Sequence, residues 1–380
     1  MDLKPLLPVF YYAIASALTI TGLKQRRHIR LLLLGPVWVL TLLSLTSAHS
    51  LSWMIGADST FASLLVFYLL YSAKILAFDQ HAINPEVRGG HTWSPSFLDC
   101  YRTWNNPRHL PIRLSHSPLK RDATSSDSGP NTLARVAFSK AAKAAALWSF
   151  EHFIFQKFFI RTLGQVVIAD FSPESEWPHM PLSPHQLQVR AIMSVQWIWR
   201  AYFFLEFYHS LLAIVFVAIL RFDDAEEWPP LFGSPMNAYS VRKFWGRFWH
   251  QLTIPTYIFY ARLVSKYVVV RPDSNLEKTV IAFLVFTISG LSHSLVGLAL
   301  GDAALFRDVL FFEMCFLAAA GETLVLKSYS KVLGSLNWTW PLSRMARRVA
   351  GMLWVFAFFF CVAPLWIYPK IYHALLNPLY

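Results

Sequence analysis

Long apolar runs constrain this chain more than any other feature of its sequence. They cover residues 5–23, 31–48, 61–77, 195–220, 279–300, 305–326 and 349–366. A run of about 20 apolar residues is long enough to cross a bilayer as an α-helix. Because a spanning helix bonds all of its own backbone groups, it is one of the few structures that lipid tolerates. The runs therefore predict an all-α polytopic membrane protein.

Composition and charge agree with this class of protein. Hydrophobic residues make up 55% of the 380 residues and charged residues only 15%, whereas about a quarter of a soluble domain is charged. The net charge of +12 would suggest a nucleic-acid partner for a soluble chain. In a membrane protein it indicates first positively charged cytosolic loops, and second an anionic co-substrate near those loops. We therefore expect a lipid bilayer, and no nucleic acid, as partner.

The distribution of basic residues predicts which side of the membrane each loop occupies. The basic cluster 24–30 follows the first run, so we place it in the cytosol and the N-terminus outside. Region 141–163 is apolar but carries several ionisable residues, so it is either a tilted span or an interfacial amphipathic helix. If it spans, the acidic loop 170–184 lies outside, and the basic segments 241–247 and 327–348 lie inside.

That arrangement obeys the charge rule best. It predicts about eight transmembrane helices with both termini outside, as a single membrane domain over residues 1–380. Residues 78–135 are then a cytosolic loop. The serine-rich segment 123–131 within that loop is typical of a flexible linker.

His293 is an ionisable residue inside the apolar run 279–300. Such a side chain is costly at that depth and by default marks a functional site. Ser289, Gly290 and Gly297 lie three or four residues from His293, so a helix places all of them on one small, polar face. This face is either a site where substrate meets His293 or a surface where glycine and serine let helices pack closely.

A second candidate site is the aromatic and basic segment 240–251. It reads Ser-Val-Arg-Lys-Phe-Trp-Gly-Arg-Phe-Trp-His-Gln, and prolines 229 and 230 predict irregular backbone before it. Its aromatic residues recur four positions apart, which in a helix gives an aromatic wedge. Aromatic residues and arginines also belong at the membrane interface, so a surface helix with snorkelling arginines is the alternative.

Other chemical signatures are missing from the sequence. Glu206-x-x-His209 resembles half of a di-iron motif, but that site needs a second copy and further glutamates. The chain has neither a Gly-x-Ser-x-Gly elbow nor a His-Glu-x-x-His zinc helix or a P-loop. We predict no metal site, and no acyl-enzyme because no activated serine or cysteine is evident.

Together the two candidate segments resemble the wax-synthase branch of the membrane-bound O-acyltransferase superfamily. The similarity covers residues 228–297, from Trp-Pro-Pro-Leu-Phe-Gly through the aromatic segment to Ser-Gly-Leu-Ser-His293. Upstream, Arg88-Gly-Gly-His-Thr-Trp93 keeps the arginine and one glycine of the family's Arg-Gly-x-Gly-Trp motif, with the tryptophan displaced.

This resemblance implies a helical bundle with spanning and interfacial helices, in which residues 228–297 form the catalytic region. It implies transfer of an acyl group from acyl-CoA to the hydroxyl of a lipophilic alcohol. Many members of this branch are similar to fungal enzymes that acetylate terpenoid, meroterpenoid or alkaloid alcohols in secondary metabolism. We therefore expect an acetyl-CoA-dependent enzyme of the endoplasmic reticulum membrane. A long-chain wax ester synthase is the alternative.

The resemblance also implies roles for particular residues. His293 matches the family's essential histidine, which we expect to accept the proton of the alcohol as general base. His250 matches the polar residue that ends the aromatic motif, and we expect it to donate to the oxyanion or to position a group that does.

The remaining predicted site residues bind the two substrates. Lysine and arginine suit phosphate groups, although the same cations are explained by positive-inside topology alone. The residues expected to bind acyl-CoA are Arg242, Lys243, Arg247, Trp245 and Trp249. The residues expected to bind the alcohol are Ser289, Gly290 and Gly297.

A membrane protein without enzymatic activity is the rival hypothesis. His293 would then be a gate or a packing partner in a transporter or a lipid-binding protein. Transporters more often show inverted repeats and broken helices in both halves of the chain. No such repeat is visible in this sequence, which favours the enzyme.

Overall fold

The fold is built from α-helices. The computed structural model describes residues 4–52, 57–79, 95–111, 130–163, 166–178, 181–268, 272–336 and 343–376, and these contain no β-strand. The helices are α1 (Leu7–Gly22), α2 (Arg27–Thr46), α3 (Ala57–Ala73), α4 (Phe97–Trp104), α5 (Pro130–Ser149), α6 (Gln156–Leu163), α7 (Pro173–Glu176), α8 (Pro184–Ala213), α9 (Val241–Lys243), α10 (Ile254–Val268), α11 (Asn275–Ala299), α12 (Phe306–Leu336) and α13 (Arg344–Leu376). The π-helices are Lys74–Phe78, Phe150–Phe155, Ile214–Ile219 and Phe244–Phe248. The predicted all-α class is confirmed.

Two sequence predictions fall outside this description. The stretch from Arg88 to Trp93 is not among the described residues, and neither are residues 123–129 of the predicted linker. The last two residues of that linker, Pro130 and Asn131, begin α5.

Each predicted apolar run lies in a helix. In the described part of the chain, 6 helical stretches are long and apolar enough to cross a membrane, which confirms a polytopic membrane protein. These stretches are Arg27–Thr46, Asp58–Phe78, Pro184–Ile219, Asn275–Ala299, Phe306–Ser328 and Met345–Leu376. Helix α1 is apolar but shorter, and the helical region 141–163 is not among the 6. Eight spans therefore stay a prediction.

Serine caps begin the helices that carry the predicted site. The Ser274 hydroxyl accepts a hydrogen bond from the Glu277 amide at the start of α11. The Ser240 hydroxyl accepts from the Lys243 amide at the start of α9. Each bond satisfies an amide that has no partner within its own helix, so these starts are encoded locally.

The chain divides into two compact units, of which the first comprises Met1–Trp148 and Phe204–Pro229. Asp223 and three of its neighbours form one hydrogen-bonded group in this unit. The Asp223 carboxylate accepts hydrogen bonds from the Tyr101 hydroxyl at 3.0 Å, the Asn105 amide at 2.9 Å and the Trp228 indole at 2.9 Å. Burial raises the pKa of Asp223, and these three bonds oppose that rise.

The second unit comprises Ser149–Phe203 and Pro230–Tyr380 and contains both candidate segments. Trp197 of α8 is surrounded by aromatic side chains from the π-helix Phe244–Phe248, from Trp249 directly after it, and from α12 and α13. Their ring centroids lie between 5.1 and 6.2 Å from that of Trp197. This aromatic core holds together the elements that carry the site.

Ion pairs mark one end of the bundle in the second unit, and backbone contacts mark the other. Arg307 pairs with Glu176 at 2.7 Å, which joins the start of α12 to α7 in the loop predicted to lie outside. At the other end, Gly351 of α13 lies against the Tyr239 backbone, just before the segment predicted to lie inside. Which side of the membrane each end faces stays a prediction.

Candidate active site

The aromatic segment is a π-helix and not a regular α-helix. After the single turn of α9, the Trp249 amide donates to the Phe244 carbonyl at 2.7 Å, a bond that spans five residues. Trp249 itself is extended and ends the helix. The segment is therefore helical, as the aromatic wedge requires, with its turn widened by one residue. Such π-bulges are frequent at functional sites.

The backbone of Gly233 packs directly against the end of the aromatic segment. The Gly233 amide donates to the Phe248 carbonyl at 2.8 Å. A Cβ atom on Gly233 would lie 2.0 Å from the Arg247 carbonyl oxygen, which no side chain tolerates. The irregular backbone predicted from Pro229 and Pro230 is confirmed, and it brings this glycine against the end of the π-helix.

Glu322 of α12 holds the beginning of the aromatic segment. Its carboxylate accepts from the Val241 amide at 2.7 Å and from the Arg242 amide at 3.1 Å. The Trp354 indole of α13 donates to the same carboxylate at 2.7 Å. An acidic group at a helix N-terminus is favourable electrostatically, so Glu322 fixes this short helix to both neighbouring spans.

His293 lies in α11, six residues before its end, and its side chain remains exposed. The ring of Phe312 from α12 stacks on the imidazole with a centroid distance of 5.1 Å and an angle of 22°. The indole of Trp366 from α13 meets it edge-on at 6.3 Å and 83°. Three helices therefore orient His293 without enclosing it.

A continuous series of ring contacts joins His293 to His250. Phe312, which stacks on His293, lies 5.5 Å from Trp245 of the π-helix. Trp245 lies 5.2 Å from Trp249, and Trp249 lies 5.5 Å from His250. The structure thus gathers both predicted histidines and both predicted tryptophans around one aromatic cluster.

The small residues beside His293 contact neighbouring backbone. A Cβ atom on Gly290 would lie 2.8 Å from the Val309 Cα atom, so α11 and α12 approach closely there. A Cβ atom on Gly297 would lie 3.2 Å from the Asp302 carboxylate. Ser289 donates its hydroxyl to the Val285 carbonyl of its own helix. These positions show the helix-packing role, and a contact with substrate stays a prediction.

The predicted cations form a positively charged surface with Tyr239 at its centre. The Lys243 ammonium lies 3.7 Å above the Tyr239 ring, and the Arg348 guanidinium lies 5.7 Å from it. Arg242 and Arg247 are exposed. A hydrogen bond from Lys243 lowers the pKa of Tyr239, and the charges of Lys243, Arg348 and Arg247 lower it further. This surface therefore has the potential that attracts anions.

Three residues near His293 were not predicted from the sequence. Asp308 at the start of α12 is completely buried, and its carboxylate accepts from the Trp366 indole at 2.7 Å. Lys370 of α13 bonds the same carboxylate at 2.8 and 3.0 Å. A charged residue within or beside an apolar run is itself a signal of function, and this signal could have identified Asp308.

Glu206 and His209, which were not assigned to a site, lie in the first unit. Glu206 is buried in α8 and pairs with Lys143. The His209 ring lies 5.0 Å from the Trp228 indole. Within the described ranges, no group of three or more His, Cys, Asp or Glu side chains is arranged to hold a metal ion.

Comparison with known proteins supports the resemblance. Residues 228–316 match the membrane bound O-acyl transferase family, and this range includes His250, His293 and Phe312. The family resemblance predicted from the motifs is confirmed over that range.

Known relatives are named as acetyltransferases. The chain is 30% identical over 204 residues to acetyltransferase nanB of Aspergillus nanangensis, which covers 52% of this chain and 47% of that protein. It is 27% identical over 203 residues to acetyltransferase atnC of Arthrinium sp, or 53% of this chain and 46% of that protein. It is 30% identical over 167 residues to acetyltransferase ataH of Aspergillus terreus, or 44% of this chain and 54% of that protein. The matches span about half the length of these relatives, and no solved structure matches the chain.

Proposed function

We propose that this protein transfers an acetyl group from acetyl-CoA to the hydroxyl of a lipophilic alcohol of the terpenoid or meroterpenoid class. We place this reaction in the endoplasmic reticulum membrane, as a step in the biosynthesis of a secondary metabolite. The names of the relatives favour acetyl as the acyl group.

One observation carries the proposal. Phe312 contacts both His293 and Trp245, so the two motifs meet inside the segment that matches the O-acyl transferase family. An ionisable side chain in a membrane helix marks a functional site by default. His293 is exposed as a residue, and its ring contacts come from Phe312 and Trp366.

The reaction needs one proton acceptor and no covalent intermediate on the protein. The alcohol oxygen attacks the carbonyl carbon of the thioester and forms the new C–O bond, while the hydroxyl proton passes to His293. The tetrahedral intermediate then releases CoA as the C–S bond breaks, and the departing sulfur takes the proton from His293. We assign stabilisation of the oxyanion to His250 or to a backbone amide beside it.

The positively charged surface around Tyr239 is our candidate for the phosphate groups of CoA. Lys243 and Arg348 lie at the Tyr239 ring, and the charges of Lys243, Arg348 and Arg247 lower the pKa of its phenol. Lysine and arginine both bind phosphate. Arg348 comes from α13, so the phosphate site extends beyond the aromatic segment. Trp245 and Trp249 would contact the acyl-CoA between this surface and His293.

Alcohol-dependent release of CoA tests the proposed function. The purified full-length protein is incubated with acetyl-CoA, with and without a terpenoid alcohol, and free thiol is measured. We expect thiol release to require the alcohol, and mass spectrometry to find the acetyl ester. Transport of the alcohol across vesicles without consumption of acetyl-CoA would overturn the proposal and favour the non-enzymatic rival.

The same assay separates acetyl transfer from long-chain acyl transfer. We expect acetyl-CoA to be used in preference to a long-chain acyl-CoA when both are supplied with one alcohol. A product that carries only the long acyl chain would instead identify a wax ester synthase.

A further inference from the structure

A network of buried charges lies where α11 ends, α12 begins and α13 nears its end. This is the end of the bundle that also carries the pair of Arg307 and Glu176. The Asp308 carboxylate accepts hydrogen bonds from Lys370 at 2.8 and 3.0 Å and from the Trp366 indole at 2.7 Å. Lys370 also pairs with Asp302 at 2.7 Å. One ammonium group thus bridges two carboxylates, and the indole supplies a further donor to the more deeply buried one.

Burial of these charges is costly. Asp308 has 0% of its surface exposed, and a charge taken out of water loses solvation that its partners must compensate. Apolar residues of similar volume are often at least as stable as a buried ion pair. Stability alone therefore does not explain this network. Its contacts with neighbouring side chains point to another role.

The network contacts His293 through Trp366. The indole whose N–H binds Asp308 presents its ring edge-on to the imidazole at 6.3 Å and 83°. The Trp366 ring also stacks on Phe311 at 4.3 Å and 19°, so its plane is fixed on two sides. A hydrogen bond and a stacking contact together leave the indole one orientation.

The glycines beside His293 bring the network close. Gly290 permits the Val309 Cα atom to approach α11, where a Cβ atom would lie 2.8 Å away. Gly297 leaves room for the Asp302 side chain. Helix packing on this face therefore serves to place charged groups near the histidine.

We propose that Asp308, Trp366 and Lys370 are positioning residues for His293. Asp308 orients the indole that borders the imidazole, and Lys370, which also pairs with Asp302, holds that carboxylate in place. The negative charge of this network favours the imidazolium that forms when His293 takes the alcohol proton. This inference rests on the proposed acyl transfer, and it adds residues that lie outside both sequence motifs.

The first test is the kinetics of Asp308→Asn and Trp366→Phe. We expect kcat to fall about tenfold to a hundredfold, because a misplaced catalytic group has an effect of that order, while KM for acetyl-CoA stays unchanged. We expect Asp308→Glu, which keeps a carboxylate, to have a higher kcat than Asp308→Asn. Glu313→Gln is the matched control, because Glu313 is also a carboxylate of α12 that bonds α11, through Thr287 at 2.6 Å.

The second test does not require activity. Diethyl pyrocarbonate modifies histidine, and the modified His293 peptide is quantified by mass spectrometry. We expect modification of His293 to become several-fold faster in Asp308→Asn and Trp366→Phe, because the side of the imidazole that Trp366 borders is then also open to the reagent. Glu313→Gln leaves the rate unchanged. Trp366→Phe keeps most of the packing, so it remains informative if Asp308→Asn does not fold.

The two tests separate failure of this inference from failure of the proposed function. If the wild-type protein is inactive but the rate of His293 modification still changes in the network variants, the proposed acyl transfer is overturned. The contact between the network and His293 then still stands. If the wild-type protein is active but the network variants match Glu313→Gln in both kcat and modification rate, the positioning role is overturned.

Discussion

His293 differs from the acidic residues of the neighbouring span in how its side chain is used. Glu322 is bonded by two backbone amides and an indole, and Glu313 by the Thr287 hydroxyl. Within the described part of the chain, the His293 imidazole has ring contacts but no hydrogen bond. A side chain that is oriented by packing and keeps its nitrogens available is suited to proton transfer.

Tyr239 gives a prediction about the phosphate surface. Its pKa is lowered, first by the hydrogen bond from Lys243 and then by the surrounding cations. We expect Lys243→Met to raise the pKa of Tyr239 toward its ordinary value, and CoA to raise it in the wild type by neutralising these cations. The difference in tyrosinate absorbance between wild type and Tyr239→Phe reports this titration. A titration that CoA leaves unchanged would argue against a phosphate site here.

His250 gives a second prediction at this scale. We expect His250→Ala to lower kcat by about a hundredfold, the effect typical of removing one oxyanion donor, while the protein stays folded. His373→Ala is the control, because His373 is exposed near the end of α13 and should have no effect. Wild-type kcat in His250→Ala would make His250 a structural residue.

At the scale of elements, the length of the apolar runs predicted where the long helices lie, but not their local geometry. Every predicted run became helical because a helix satisfies its own backbone wherever the surroundings are apolar. The π-helix Phe244–Phe248 depends instead on contacts distant in sequence, with Glu322 at one end and Gly233 at the other. A regular spacing of aromatic residues could not reveal those contacts, and so the widened turn was not predicted.

Two glycines of this region give a matched pair of substitutions. Gly233→Ala places a methyl group against the Arg247 carbonyl, and we expect it to lower the free energy of unfolding by about 1–3 kcal/mol, the usual cost of overpacking. Gly246 in the π-helix has no atom within 4 Å of its would-be Cβ. Gly246→Ala should therefore be neutral or more stable by less than about 1 kcal/mol.

Thermal unfolding in one detergent compares the two glycine variants. Equal melting temperatures for Gly233→Ala and Gly246→Ala would show that the contact between Gly233 and the π-helix does not matter for stability.

At the scale of the whole molecule, the distribution of charge predicts sidedness. We expect residues 327–348 in the cytosol and the turn between α11 and α12 outside. Cysteines introduced at Ser343 and Ala303, which are both exposed, test this in a Cys361→Ser background, since Cys361 is the exposed one of the three native cysteines. In intact microsomes an impermeant maleimide should label Ser343→Cys directly, and Ala303→Cys only after detergent. Labelling of both without detergent would contradict this topology.

The site could be predicted only in part, for a physical reason. His293 and the aromatic segment stand out because an ionisable group in an apolar run and a dense aromatic motif are local signals. Trp366 and Lys370 come from α13, far along the chain, and only the packing of three helices brings them to His293. Contacts between distant helices leave no pattern that a single sequence displays.

The central claim is that His293 is the general base of an acyl transfer, and one substitution tests it most directly. Purified His293→Ala is compared with the wild type and with His373→Ala for alcohol-dependent CoA release from acetyl-CoA. Removing a general base typically lowers the rate by about 10²–10⁴-fold, and we predict a loss in this range for His293→Ala with an unchanged melting temperature. Near-normal turnover by His293→Ala would contradict the claim.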